Sequence, residues 1–141
     1  MLHFAPDEGN IRRSKMPCSL QIVKTRDFFK LNAQGQLDVR QSHDVLAGLA
    51  KSCIAHDIDC ALLDVRDASG TLKISDLYAL ARAFPEMGFR EAHRLALLHR
   101  YNAGERAEMF AMFASDRGWN VRAFEEFEEA IEWFSETETA K

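Results

Sequence analysis

Apolar side chains recur along this chain in two rhythms, one of period two or in short unbroken runs, the other at three and four residues, and the rhythms take turns. The first marks strands and the second the buried stripe of a helix. Ser19 to Asp27 alternates through Leu20, Ile22 or Val23 and Thr25, and Phe28 to Leu37 repeats the habit around Phe29, Leu31 and Ala33. The spacing predicts a hairpin that turns near Thr25 to Asp27. Gln34-Gly35-Gln36-Leu37-Asp38 is expected to leave the sheet, with Gly35 free for a bulge or a positive φ and Asp38 placed to cap a helix. From Val39 to about Ala55, Val45, Leu46, Leu49, Ala50, Cys53 and Ile54 form one helical stripe.

Cys60 to Val65 is a continuous apolar run ending in Leu63-Asp64-Val65, the mark of a strand covered on both faces. Ser75 then has the position of a helix N-cap and Asp76 suits the positive end of the helix dipole. Leu77, Leu80, Ala81 and Phe84 make that helix's stripe, and Pro85 and Gly88 end it. Arg94 to His99 repeats the buried-strand pattern, and Glu105 to Arg117 is a helix stopped by Gly118. Asn120 to Phe124 is a last short strand, followed by Phe127, Ala130, Ile131 and Phe134 at helical spacing.

This order predicts an α/β domain with a single-layer, mostly parallel five-stranded sheet, one antiparallel edge hairpin and about four helices. The 141 residues suffice for one core without a disulfide or metal to hold it. The expected boundaries are a leader over 1–18, the domain over 19–135 and a tail over 136–141. In such sheets the carboxyl ends of the parallel strands form the functional rim.

Composition removes several classes of function. A net charge of −4 argues against nucleic acid, whose binders need a basic face to displace phosphate counterions. The three cysteines show no CxxC spacing and no secretory leader opens the chain, so a reducing, cytoplasmic setting is expected. No apolar run reaches the roughly 18 residues of a spanning helix. The five histidines include no pair at i, i+4 and no cysteine at ligand distance, so neither a metal nor a cofactor is expected. Walker A, G-x-G-x-x-G, G-x-S-x-G and H-E-x-x-H motifs are missing.

The densest polar constellation is Asp64, Asp67, Ser69, Thr71, Lys73, Ser75 and Asp76, at one strand end and one helix start. A capped, solvated loop uses the same residue types, so the constellation is a candidate site rather than a signature. His99, Arg100, Tyr101 and Asn102 follow the next strand and are expected on the same rim. Asp64 and Asp67, as DVRD, offer two acids after an apolar strand, though aspartyl-phosphate hydrolases space theirs as DxD. Met109, Phe110, Met112, Phe113, Trp119 and Trp133 exceed what a narrow stripe holds; the ordinary explanation is core, the sharper one an exposed apolar patch.

Taken in order, the hairpin into Gly35-Gln36-Leu37-Asp38, the strand Leu62 to Val65, the helix start Ile74-Ser75-Asp76-Leu77 and the ending from Phe113 to Phe134 resemble the SpoIIAA-like branch of the STAS superfamily. These are relatives of anti-sigma-factor antagonists and of the cytoplasmic domains of sulfate transporters. The resemblance implies a phosphorylated serine at the start of the helix, which here is Ser75, where Ile74-Ser75-Asp76-Leu77 replaces the family's approximate Asp-Ser-Ser-Gly. It implies a regulatory, non-enzymatic module that recognises a protein partner or small ligand through Asp64, Asp67, Ser69, Thr71, Ser75 and Asp76. Two alternatives stand beside it: a small phosphate-ester-binding enzyme using Asp64 and Asp67, and a lipid-binding or homodimerising module using the Met/Phe face of the helix from Glu105 to Arg117.

Overall fold

A computed structural model of the protein describes residues 18–24, 27–70 and 72–136. In chain order its elements are β1 (Cys18–Lys24), β2 (Phe29–Leu37), α1 (Val39–His56), β3 (Cys60–Gly70) and α2 (Ile74–Arg82). They continue as α3 (Phe84–Met87), β4 (Arg94–Leu98), α4 (Glu105–Asp116), β5 (Asn120–Phe124) and α5 (Phe127–Ser135). The parallel body of the sheet is four strands, β2 to β5, and β1 lies antiparallel on the outer side of β2. The spatial order is β1-β2-β3-β4-β5, the same as the order in sequence.

That order decides where the helices go. Every parallel connection steps one strand in the same direction, and connections of one hand that step the same way deposit their helices on the same face. Accordingly α1, α2, α3 and α4 share one core with Phe29, Leu31, Ala61, Leu63, Leu95, Leu97 and Val121 of the strands. Among the described residues only α5, which follows the last strand, covers the other face. There Ala130 and Trp133 close over Leu62, Ala96 and Leu98. The alternation of neighbours such as Leu62 and Leu63 between the two cores is the period of two expected of strands buried on both sides.

The centre of the larger core is aromatic. Phe84 stacks on Phe89 with ring centroids 4.4 Å apart, and meets Phe110 at 5.8 Å and Trp119 at 5.7 Å. On the other face Trp133 meets Phe124 at 5.8 Å with the rings tilted by 44°, and lies under the guanidinium groups of Arg94 and Arg122. Trp133 therefore seals the smaller core while its ring face holds two cations against the sheet.

Several boundaries differ from expectation. Gln34 to Leu37 stays in the sheet, pairing with Asp67 to Gly70 beyond a bulge opposite Asn32 and Gln34. β3 consequently runs five residues past Val65, because backbone donors and acceptors pair whatever side chains they carry. Ser75 is not an N-cap: Lys73 holds that position, and the Asp76 carboxylate accepts from the Lys73 N–H at 2.9 Å. The helix expected to run to Phe84 breaks at Ala83, and Pro85 opens the separate turn α3 that Gly88 closes, so there are five helices instead of about four. At the foot of α1, Asp57 takes the left-handed conformation (φ 56°) that ends the helix. Asp38 caps α1 as expected, accepting from the Gln41 N–H at 2.7 Å while the Gln41 side chain returns the bond. Of the turn expected near Thr25 to Asp27, residues 25 and 26 fall outside the described residues, as do residues 1–17 of the leader expected over 1–18, while Cys18 is already the first residue of β1.

Candidate functional site

At the carboxyl ends of β3 and β4, on the face that carries α1, α2 and α4, the structure holds a cavity of about 740 Å³. Its floor is apolar: Leu63 and Leu97 from the strands, Val45 and Leu46 from α1, Leu77 and Leu80 from α2, and Phe110 from α4. The mouth is polar, with Arg66, Ser69, Arg100, Asn102, Glu105, Arg106, Glu108 and Glu125 around it. Parallel strands followed by helices on one face bring three helix beginnings to this single end of the sheet, which leaves a recess that no side chain fills. An apolar pocket of this volume with few convergent polar groups is the usual form of a small-molecule site.

Two of those polar groups are inside. His99 follows the last residue of β4, is only 3% exposed, and lines the cavity. Its Nδ1 lies 2.9 Å from the Arg100 carbonyl oxygen, which can only accept, so Nδ1 carries the proton. Its Nε2 is buried and has no hydrogen-bond partner among the described residues. The imidazole packs on Gly104, the residue before α4, where a Cβ would overlap the ring. Ser42, in the first turn of α1, is 8% exposed, lines the same cavity, and its Oγ also lacks a partner. Buried polar atoms are nearly always paired, so two unpaired ones on residues that line one recess set it apart from ordinary core.

The rim is tied across the sheet by arginines. Arg100 Nε donates to the Arg66 carbonyl oxygen at 3.0 Å, and Arg106 Nε donates to the Leu72 carbonyl oxygen. Asn102, in the left-handed region at φ 58°, donates its N–H to Glu125 Oε2 at 3.3 Å. Gly70 runs so close to the Leu37 carbonyl oxygen that a side chain there would displace the strand.

The six residues expected to form the site are not gathered in one place. Asp64 is buried on the face opposite the cavity, where its neighbour Lys30 lies over the Phe127 ring of α5 at 5.6 Å. It accepts from the Arg66 N–H at 3.0 Å, from Nε at 3.0 Å and from Nη2 at 2.8 Å. Burial raises the Asp64 pKa, but these bonds and the charges of Arg66 and Lys30 outweigh it, and the net shift is downward. Asp67 is exposed on the extended part of β3 beside Gln34. Ser69 lines the cavity mouth. Ser75 is exposed in the first turn of α2, Asp76 is engaged as a cap, and Thr71 lies outside the described residues.

His99, Arg100 and Asn102 do line the cavity together with Arg66, Ser69 and Leu72, while Tyr101 is not among the lining residues and has 68% of its surface exposed. Ser42 and Arg106 were not singled out by sequence reading. Ser42 carried a usable signal, since it precedes Val45, Leu46 and Leu49 at i, i+3, i+4 and i+7 and is a polar residue on an apolar stripe. Of the Met/Phe face of α4, Phe110, Ala111 and Ala114 are core, Met109 and Phe113 are half-buried, and Met112 alone is largely exposed, at 52%. Phe113 receives Tyr78 of α2 edge-on at 5.6 Å. Among the described residues no group of three or more His, Cys, Asp or Glu side chains could hold a metal ion, and no helix is long and apolar enough to cross a membrane.

An antiparallel strand laid on four sequentially ordered parallel ones, with three crossovers on one face and a final helix on the other, has counterparts among solved structures. An anti-sigma factor antagonist from Mycobacterium paratuberculosis superposes with a TM-score of 0.57 at 12% identity, over 84% of this chain and 95% of that one. SpoIIAA, an anti-sigma factor antagonist, in its unphosphorylated form gives 0.53 at 19% identity, over 82% and 95%. The fold is that of SpoIIAA. An uncharacterized protein of the DUF3478 family with a SpoIIAA-like fold, from Shewanella loihica PV-4, gives 0.52 at 21% identity, over 83% and 93%. No family model matches the sequence, and no curated protein matches it. At these identities the likeness to SpoIIAA is one of architecture, so the chemistry must be read from this chain's own side chains.

Proposed function

We propose that the protein is a non-enzymatic regulatory module of the SpoIIAA-like kind, which holds a small apolar ligand in the recess at the ends of β3 and β4 and presents the adjoining start of α2 to a protein partner. The cavity carries this reading: about 740 Å³ with an apolar floor and two unpaired polar atoms, in a domain whose other strand-end carboxylate, Asp64, is neutralised on the opposite face. The partner half rests on the fold, since two of the structural neighbours are antagonists of anti-sigma factors. Ser69, Gly70, Leu72 and α2 contribute to the wall of the cavity and lie near Ser75 in the chain, so an occupied cavity would alter what a partner meets.

Titration of 1-anilinonaphthalene-8-sulfonate against the native protein and against Leu80→Trp, which fills the floor, tests the ligand half. Saturable binding to the folded native protein that is lost in a folded Leu80→Trp variant supports the reading. No binding to the native protein, or equal binding to both, overturns it.

Ser69, Ser75 and Asp76 belong to the partner surface in this reading, and Ser75 is its phosphorylation candidate. It is exposed at the beginning of α2, where a phosphate would sit at the positive end of the helix dipole and change the local charge by nearly two units. Mass spectrometry of protein from its native cell that finds Ser75 always unmodified counts against that part alone.

A further inference from the structure

The two unpaired atoms also specify what kind of molecule would satisfy them, and this step rests on the cavity being a ligand site. His99 has its Nδ1 proton committed to the Arg100 carbonyl oxygen, so in the neutral imidazole Nε2 is a bare acceptor. Glu108 Oε2 is 3.9 Å from Nε2. That is too long for a hydrogen bond, and a carboxylate has no proton to give. His99 Nε2 is therefore left as an acceptor with no donor bonded to it among the described residues, and Glu108, largely exposed at the mouth, supplies none.

The mouth does not compensate as an anion site would. Arg66 is spent on Asp64, Arg100 donates to the Arg66 carbonyl, and Arg106 donates to that of Leu72. Three carboxylates, Glu105, Glu108 and Glu125, line the same opening. Cations and anions balance there, which gives a carboxylate or phosphate head no net attraction. Ser42 Oγ, unpaired on the same cavity wall, is a second group that a hydroxyl can engage, as donor or as acceptor.

We infer that the cavity takes an uncharged apolar molecule bearing a hydroxyl, whose proton is donated to His99 Nε2 while its hydrocarbon lies on Leu63, Leu77, Leu80 and Phe110. An apolar floor by itself would select only for size. A buried acceptor adds discrimination, because a ligand without a donor would have to leave it unpaired in a dry site.

The test compares three probes of one chain length by isothermal titration calorimetry: 1-decanol, decyl methyl ether and decanoate. The expected result is that 1-decanol binds about tenfold or more tightly than the ether and that decanoate is the weaker of the two oxygen-headed acids and alcohols. The His99 Nε2 nitrogen resonance, followed in ¹⁵N-labelled protein, should move on adding the alcohol and stay in place with the ether. In His99→Phe the alcohol and the ether should bind equally; should that variant fail to fold, Ser42→Ala and the probe comparison on the native protein still decide. Equal binding of alcohol and ether to the native protein overturns the donor inference while leaving the cavity a ligand site. Tighter binding of decanoate overturns it in favour of an anionic ligand and a protonated His99. Failure of all three probes refutes the ligand site itself.

Discussion

Removing the carboxylate of Asp64 is the sharpest perturbation of the ion pair that the structure puts behind the sheet. Asp64 accepts three hydrogen bonds from Arg66 alone, one from the main chain and two from the guanidinium, with Lys30 Nζ at 3.9 Å. Hydrogen bonds to a charged group contribute about 1.5–3 kcal/mol each in favourable cases. The three cannot be summed at that rate, because the Arg66 side chain is 43% exposed and returns to water when released. The expected loss is about 2–3 kcal/mol for Asp64→Ala and about 1–2 kcal/mol for Asp64→Asn, whose amide oxygen still accepts from the Arg66 N–H. Urea denaturation followed by tryptophan fluorescence reads both, and a cycle with Arg66→Ala should show a coupling of about 1–2 kcal/mol. The pH dependence has a definite sign. A carboxylate whose folded pKa lies below its unfolded value contributes stability that is present above the unfolded pKa, near 4, and is lost as pH falls through the lower folded value. The native protein should therefore lose stability below about pH 4 by more than Asp64→Asn does. Additive single substitutions, or an acid limb unchanged in Asp64→Asn, would refute the claim that this carboxylate is held by Arg66.

Gly104→Ala places a methyl group in the His99 ring and should cost about 1–3 kcal/mol, seen as a lowered thermal midpoint together with a shifted His99 ring resonance. Asp76→Ala removes the acceptor for the Lys73 N–H and should cost about 1 kcal/mol, while Ser75→Ala next to it stays within about 0.5 kcal/mol by chemical denaturation. Burial pushes the Cys53 thiol up to about 12, with Cys60 and Asp59 nearby adding to it, so little thiolate exists at pH 8. Iodoacetamide followed by peptide mapping should find Cys53 unmodified in the native protein and modified in urea.

The architecture was legible because its signals are local and repeated. Leu62 and Leu63, Leu95 to Leu98 and the stripe from Val45 to Cys53 announce buried strands and a covering helix without help from the rest of the chain. The ends were harder, because Gln34 to Leu37 and Asp67 to Gly70 carry turn-like residues and are strands only by pairing with each other. The site was half legible. His99, Arg100 and Asn102 lie where a strand-end argument places them, yet Asp64 looked like a rim carboxylate and faces the other way. The parity of a side chain on a strand cannot be assigned to a particular face until it is known which helices cover which side, and here that depends on the unbroken march of the crossovers in one direction. Ser42 was readable only as an oddity on its stripe, since the recess that gives it meaning is enclosed by residues from both strands and three helices.

The identity of spatial and sequential strand order bears on how the molecule forms. No strand has to be inserted between two that came before it, so the sheet can grow by addition at one margin while the chain leaves the ribosome. The face that carries Leu62, Ala96 and Leu98 is the exception, because its cover among the described residues is made last. Until α5 arrives, a nascent chain displays that greasy plane to its surroundings, and a translation stalled before Phe127 would release a product ready to stick to its own kind.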